Sequence, residues 1–366
     1  MVKHLRTALI LAGLSTQAFA DSITYTTIET DPRKYKPTVL SVDLVNCDLY
    51  HELSAGYGLK LETVILGRLM PYAGFKGSWY DGASHKVFDD YPEAPGGMSK
   101  QFNTDVGATL FLLNSVKERK VRVVLSSYGN SHYRITHFTW IPSQVKRMFG
   151  VEGGIFYNRK GIAIKGEGAS FYNYKDKATG AEVAMPTSSG SGTGLPAGDA
   201  TWAFPMTNTV SFYGGIRYRN IKNTVIRAEG YGKRSNANVV DFYADLMLAP
   251  VSTIGDVTDK SGKQWEMVQK SGAVNHMGYR VGFSSHCSRT FGFSYYMEFG
   301  KRPGPVLGDK FANQGGYLSL GVGFSIGSGL QLNIRKHDGD KSSKKAEKNA
   351  QNEDNKEKDD SSSKKD

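Results

Sequence analysis

The sequence predicts an all-β chain: an antiparallel transmembrane β-barrel of about 12 to 14 strands, followed by a disordered charged tail. Three observations predict it. Apolar residues alternate with small or polar ones in runs of about ten, the length a tilted strand needs to cross a bilayer. The first residues have the make-up of an export signal. No later run approaches the roughly 20 apolar residues of a spanning helix. The chain also combines 42 Gly, 20 Tyr and 18 Phe with only 39% hydrophobic residues. Such a mixture is expected when every second residue of a strand meets lipid.

Residues 1–20 read as a secretory signal peptide. Lys3 and Arg6 give the positive start, 8–14 the short apolar core, and Ala18-Phe19-Ala20 the cleavage pattern, so the mature chain is expected to begin at Asp21. Residues 21–52 form a segment leading into the barrel, 53–335 the barrel, and 336–366 a charged tail on the periplasmic side.

Within the barrel region, 57–65 and 70–79 form the first hairpin, and 106–113 and 120–127 are two strands joined by the polar link Ser115-Val116-Lys117-Glu118-Arg119. Residues 133–141 and 145–158 follow, divided by Pro142. Then come 210–219, 224–232, 238–248, 277–285, 291–299, 317–326 and 330–334. Three stretches interrupt the series: 80–98, 176–204 with its Ser/Gly run, and 251–273 with Trp265. All three read as long loops, the last of them partly folded. Long loops of such barrels face outside and short turns face the periplasm.

The run F-G-F-S-Y-Y-M-E-F-G at 291–300 shows how the faces divide. Phe291, Phe293, Tyr295, Met297 and Phe299 fall on one side; Gly292, Ser294, Tyr296, Glu298 and Gly300 fall on the other. A face stripped to Gly and Ser, as at 319–325, suits a curved wall around a lumen. Charges fall opposite the apolar rows, and an Arg or Lys facing lipid would cost roughly 2–4 kcal/mol at the midplane. The expected lumenal charge cluster is therefore Arg217, Arg219, Arg227, Glu229, Asp241, Asp245, Arg280 and Glu298. It could line a water-filled channel and bias the ions that pass, or fill and rigidify a closed barrel. Tyr72, Trp79, Tyr133, Trp140, Tyr157, Tyr231 and Tyr295 are expected in the aromatic girdles.

The tail has no aromatic residue, with nine Lys against nine Asp or Glu in 336–366. It cannot bury enough apolar surface to fold. Cys47 and Cys287 could form a disulfide in an oxidising compartment, a choice the sequence leaves open. The net charge of +11 does not point to nucleic acid, because export removes that partner. Among the eight His are His51, His85, His132, His137, His276 and His286, and none sits in a G-x-S-x-G, H-E-x-x-H or paired-Cys pattern. No enzymatic activity, metal or other cofactor is expected.

The cleavage pattern, hairpins such as 278–300 and alternation from about Leu53 to Ile334 resemble the integral outer-membrane β-barrel proteins of Gram-negative bacteria. The chain departs from them at its end, which is Asp366 after a charged tail, not a terminal aromatic. The resemblance implies an outer-membrane location and contact with outer-membrane lipid. Two functions are expected in turn: a channel or transporter for small solutes with a charged lumen, or a non-conducting scaffold within a larger envelope assembly. In the second, the tail would meet other envelope proteins or peptidoglycan.

Overall fold

A computed structural model describes residues 23–81, 101–130, 133–164, 170–184, 204–258 and 263–328. The expected signal peptide, the tail, the strand at 330–334, and most of the loops at 80–98 and 176–204 lie outside the described residues.

From the N-terminus the strands are β1 (Tyr25–Glu29), β2 (Thr38–Tyr50), β3 (Glu52–Thr63), β4 (Leu69–Asp81), β5 (Phe102–Gly129) and β6 (Arg134–Gly161). The short β7 (Tyr172–Asp176) and β8 (Glu182–Ala184) precede β9 (Met206–Ala228) and β10 (Gly232–Ile254). Next come β11 (Val257–Thr258), β12 (Gln264–Gln269), β13 (Val274–Asn275), β14 (Met277–Cys287) and β15 (Phe291–Lys301). The last are β16 (Gly304–Pro305) and β17 (Gly316–Ser328).

Ten strands close a cylinder in the order β2-β3-β4-β5-β6-β9-β10-β14-β15-β17, with β17 pairing back onto β2 and every pairing antiparallel. Closure leaves no edge within the ring, as a lipid environment requires. Apolar rows point outward. On β15, Phe291, Phe293, Tyr295, Met297 and Phe299 are 41–63% exposed, while Ser294 and Glu298 between them are buried. On β17, Leu318, Leu320, Val322, Phe324 and Ile326 are exposed and Ser319 and Ser325 are buried. Bulky hydrocarbon outside and polar groups inside is the arrangement that lipid demands and water opposes.

The expected count of 12 to 14 strands is corrected to ten. Residues 106–113 and 120–127 belong to the single 28-residue β5, and 133–141 and 145–158 to the 28-residue β6. The polar link 115–119 is no turn, because it lies in strand beyond the lipid, where both faces can be polar. The barrel also begins at Thr38, not near Leu53. Residues 38–50 form a 13-residue strand between β17 and β3. A bulge between Asp43 and Asn46 breaks its alternation, which hides it from a period-two reading.

At the end carrying the short turns, four strands run past the barrel. Pairing of β4 to β5 stops at Leu69–Leu110, and pairing of β6 to β9 stops at Val145–Lys222. Beyond these points the β5–β6 hairpin forms one sheet, and β1, paired to β9 from Tyr25 to Glu29, forms another with β9 and β10. The two pack face to face over Val123, Leu125, Ile141, Ile226 and Ala228, with Ile23 and Tyr231 at the margin. Side chains of β10 fasten the hairpin: Arg234 Nε donates to the Leu125 carbonyl (2.5 Å) and Asn236 Nδ2 to that of Arg122 (2.7 Å). The facing reverses along β6. Phe149, Val151 and Ile155 meet lipid, whereas Ile141, Ser143 and Val145, on the same side of the strand, are buried.

At the opposite end, β11, β12, β7 and β8 form a four-stranded sheet and β13 pairs with β16. They share a core of Ile162, Ile164, Tyr172, Tyr174, Val257, Trp265 and Met267. The segment expected to be a partly folded loop around Trp265 is thus part of a cap.

Candidate functional site: the lumen

Between its first strand and the barrel, the chain crosses the short-turn mouth. β1 adds to β9, and β2 starts on the far side of the ring, five strands away. Residues 30–37 span that gap as a strap with a 3-10 turn at Pro32–Lys34, capped by Asp31, whose Oδ1 accepts from the Arg33 N–H (2.9 Å). The strap is tied on several sides. Lys36 N–H donates to the Ser288 carbonyl (3.1 Å), Val64 N–H to that of Pro37 (2.9 Å), and Asn223 Nδ2 to that of Asp31 (3.1 Å). Tyr35 points into the mouth and packs with Val64, Met70, Phe111, Met148 and Ile221. Burial pushes its phenol up to about 12, against the pull of Arg219.

Above Tyr35 the lumen is filled by ion pairs and tyrosines. Arg219 on β9 makes two bonds to its register partner Asp241 (2.7 Å each) and reaches across the ring to Glu62 on β3 (2.6 Å). Lys60 (3.1 Å) and His286 (3.7 Å) also face Glu62. Further from the strap, Arg217 Nε binds Glu152 (2.5 Å), with its guanidinium between the rings of Tyr72 and Tyr243. Next, Arg280 joins its register partner Asp245 (2.5 Å) to Asp105 on β5 (2.7 Å) and lies over Tyr213. Glu298 accepts from Tyr243 and Tyr317 (2.7 Å each). Arg302, just past β15, binds Asp48 at 2.6 Å.

The small inner-face residues make room for these rings. A Cβ on Gly282 would stand 2.0 Å from Tyr243 Cζ, and one on Gly321 would stand 2.1 Å from Tyr296 Cε1. Among the described residues a cavity of about 100 Å³ lies beside them, lined in part by Asp43, Lys60, Lys76, His286, Asn103, Arg217, Ser284 and Ser294. Asn103 Oδ1, Arg217 Nη1, Ser284 Oγ and Ser294 Oγ are buried without a protein partner. A space of that size with these polar atoms in its wall has room for several waters, which would satisfy them. Glu62, Asp241 and His286 bring ligand-type atoms within 4.8 Å of one another. They do not fit a metal ion, because Arg219 sits between the two carboxylates and Lys60 adds a second cation.

Of the expected cluster, Arg217, Arg219, Asp241, Asp245, Arg280 and Glu298 lie buried in the lumen. Arg227 and Glu229 do not: both are exposed on the extension below the barrel, where no lumen exists. There the buried row of β9 is the other one, carrying Ile226 and Ala228. Cys47 and Cys287 are free thiols on β2 and β14, with β15 and β17 between them. Three strand spacings are about 14 Å, beyond the roughly 7 Å that a disulfide allows between Cα atoms. Tyr72 is buried in the lumen, and Tyr133, Trp140 and Tyr231 lie on the extension, so these four are not girdle residues. Glu62, Asp105, Glu152, Asp48 and Arg302 complete the network without having been singled out in the sequence. The signal for Glu62 was there: it shares the polar row of β3 with Gly58 and Lys60.

The fold and the polar lumen define an integral outer-membrane-type β-barrel. No protein-family profile matches the chain, and no curated protein matches its sequence. Solved structures with a similar course include outer membrane phospholipase A from Escherichia coli, at 9% identity over 81% of this chain and 94% of that one, with a TM-score of 0.21. The Ralstonia pickettii toluene transporter TbuX is 6% identical over 81% of this chain and 90% of its own, at 0.24. The CymD monoaromatic hydrocarbon channel is 9% identical over 84% and 94%, at 0.23. Superpositions this loose carry no function across.

Proposed function

We propose that the protein is a non-conducting outer-membrane barrel that anchors an envelope scaffold, with the strap and the β5–β6 extension in the periplasm and the folded cap outside. One observation carries this. The strap crosses one mouth, the cap covers the other, and Arg219–Glu62 and Arg280–Asp105 bridge the lumen between distant strands. Buried pairs of this kind hold only when both partners stay in place, so the filling is a fixed part of the wall. Extending four strands beyond the lipid places a folded platform where envelope partners can reach it. No catalytic step is invoked.

A second function is favoured by the cavity beside Lys60, Lys76 and Asp43. It is a gated channel for small solutes, in which the strap withdraws to admit a solute to that space. Swelling of proteoliposomes in arabinose separates the two. The closed scaffold gives no swelling above protein-free vesicles. Sugar-size-dependent swelling would establish the channel in its place.

A further inference from the structure

We propose that the outer face of the β5–β6 hairpin is a docking platform for the carboxylate-bearing glycan strands of the cell wall. This rests on the short-turn end being periplasmic, as in the scaffold function above. The register pairs Arg122 with Trp140 and Val124 with Phe138. All four side chains are exposed, Trp140 by 54% and Phe138 by 42%, while Val123 and Ile141 on the reverse face form the buried core.

The face is pre-shaped. The Arg122 guanidinium lies 4.0 Å above the Phe138 ring, and the Phe138 and Trp140 rings meet edge to face at 6.0 Å. Arg234 and Asn236 hold the β5 backbone from behind at Leu125 and Arg122, so little ordering is left for binding to demand. Charge selects the occupant. Among the exposed charges of the hairpin Glu118 is the one acid, against Lys117, Arg119, Lys120, Arg122 and Arg134. Exposed aromatic planes take the flat C–H faces of sugar rings, and adjacent cations take carboxylates.

Lipid is the poorer occupant. Val124 lies seven residues beyond Lys117, whose register partner Val145 is the last residue of β6 paired to β9. At about 3.4 Å per residue and a strand tilt near 45°, that is roughly 17 Å below the barrel wall.

The test is co-sedimentation of the purified full-length protein, in detergent micelles, with isolated murein sacculi. Wild type is expected to pellet. The double variant Phe138→Ala/Trp140→Ala and the single variant Arg122→Glu should each lower the bound fraction about tenfold. Lys233→Gln, on the other sheet of the extension, should match wild type. Folding of each variant is checked by the heat-modifiable gel shift of the barrel. A soluble wild type overturns the proposal, as does pelleting that the aromatic double variant leaves unchanged. Flotation with phosphatidylglycerol vesicles in place of pelleting also overturns it, and so does cross-linking to a folded protein without sacculus binding. A barrel that conducts and still pellets through Trp140 would remove the scaffold function and leave the platform standing.

Discussion

Arg219 on β9 and Glu62 on β3 meet across the full width of the barrel at 2.6 Å, while the same guanidinium is held by Asp241 on the neighbouring strand. Both acids and the Arg are at most 4% exposed. Arg219→Met therefore strands two buried carboxylates. It should cost about 3–5 kcal/mol, because an uncompensated buried charge is the expensive outcome. Urea unfolding of the lipid-reconstituted barrel measures this. Adding Glu62→Gln and Asp241→Asn to Arg219→Met should recover most of the loss; no recovery would show that packing, not charge, is what the Arg supplies.

Gly282 faces the Tyr243 ring so closely that a Cβ would overlap it at 2.0 Å. Gly282→Val should displace Tyr243 from Glu298 and cost about 1–3 kcal/mol through overpacking. Val is a good strand former, so local propensity predicts the opposite sign. The urea midpoint decides between them.

Ile141 anchors the extension core and lies outside the barrel. Ile141→Ala should cost about 2–5 kcal/mol locally. Hydrogen exchange should rise in 120–144 and 224–234 while the barrel strands keep their protection. Equal loosening of β14 and β15 would mean that the extension and the barrel unfold as one unit.

His51, in the one-residue turn between β2 and β3, is half-buried with both ring nitrogens enclosed, with a φ of 58° and a ring 4.2 Å from that of Tyr50. Burial, with the charge of Lys160 next in effect, pushes its imidazole down to about 3. Because the folded form holds its proton less tightly than the unfolded one, stability falls as pH drops below about 6.5 and levels off near 3. His51→Asn, a residue that tolerates positive φ, removes this proton uptake. The stability of wild type relative to the variant should be greater at pH 8 than at pH 4. A pH-independent difference would show that His51 holds its proton equally well in the folded and unfolded states.

Alternation in β9, β10, β14, β15 and β17 was enough to read a barrel, its lipid-facing rows and six of its lumenal charges, because a strand's faces are fixed by local parity. Three features depend on contacts distant in sequence and were not legible. Bulges at 43–46 in β2 and at 111–113 and 124–126 in β5 shift parity without any composition signal. The boundary between barrel and extension is set by where β4 stops pairing, so Arg227 carries the same local pattern as Arg217 yet ends outside the lumen. The strap is eight residues without periodicity, and only the placement of β1 and β2 on opposite walls sends it across the mouth.

Single-channel recording in planar bilayers is the most direct test of a closed lumen. The full-length protein, inserted and shown by gel shift to be folded, should give no conductance steps in molar salt. Regular steps from wild type, changed in size or ion selectivity by Arg219→Glu, would contradict a lumen sealed by the strap and bridged from β9 to β3.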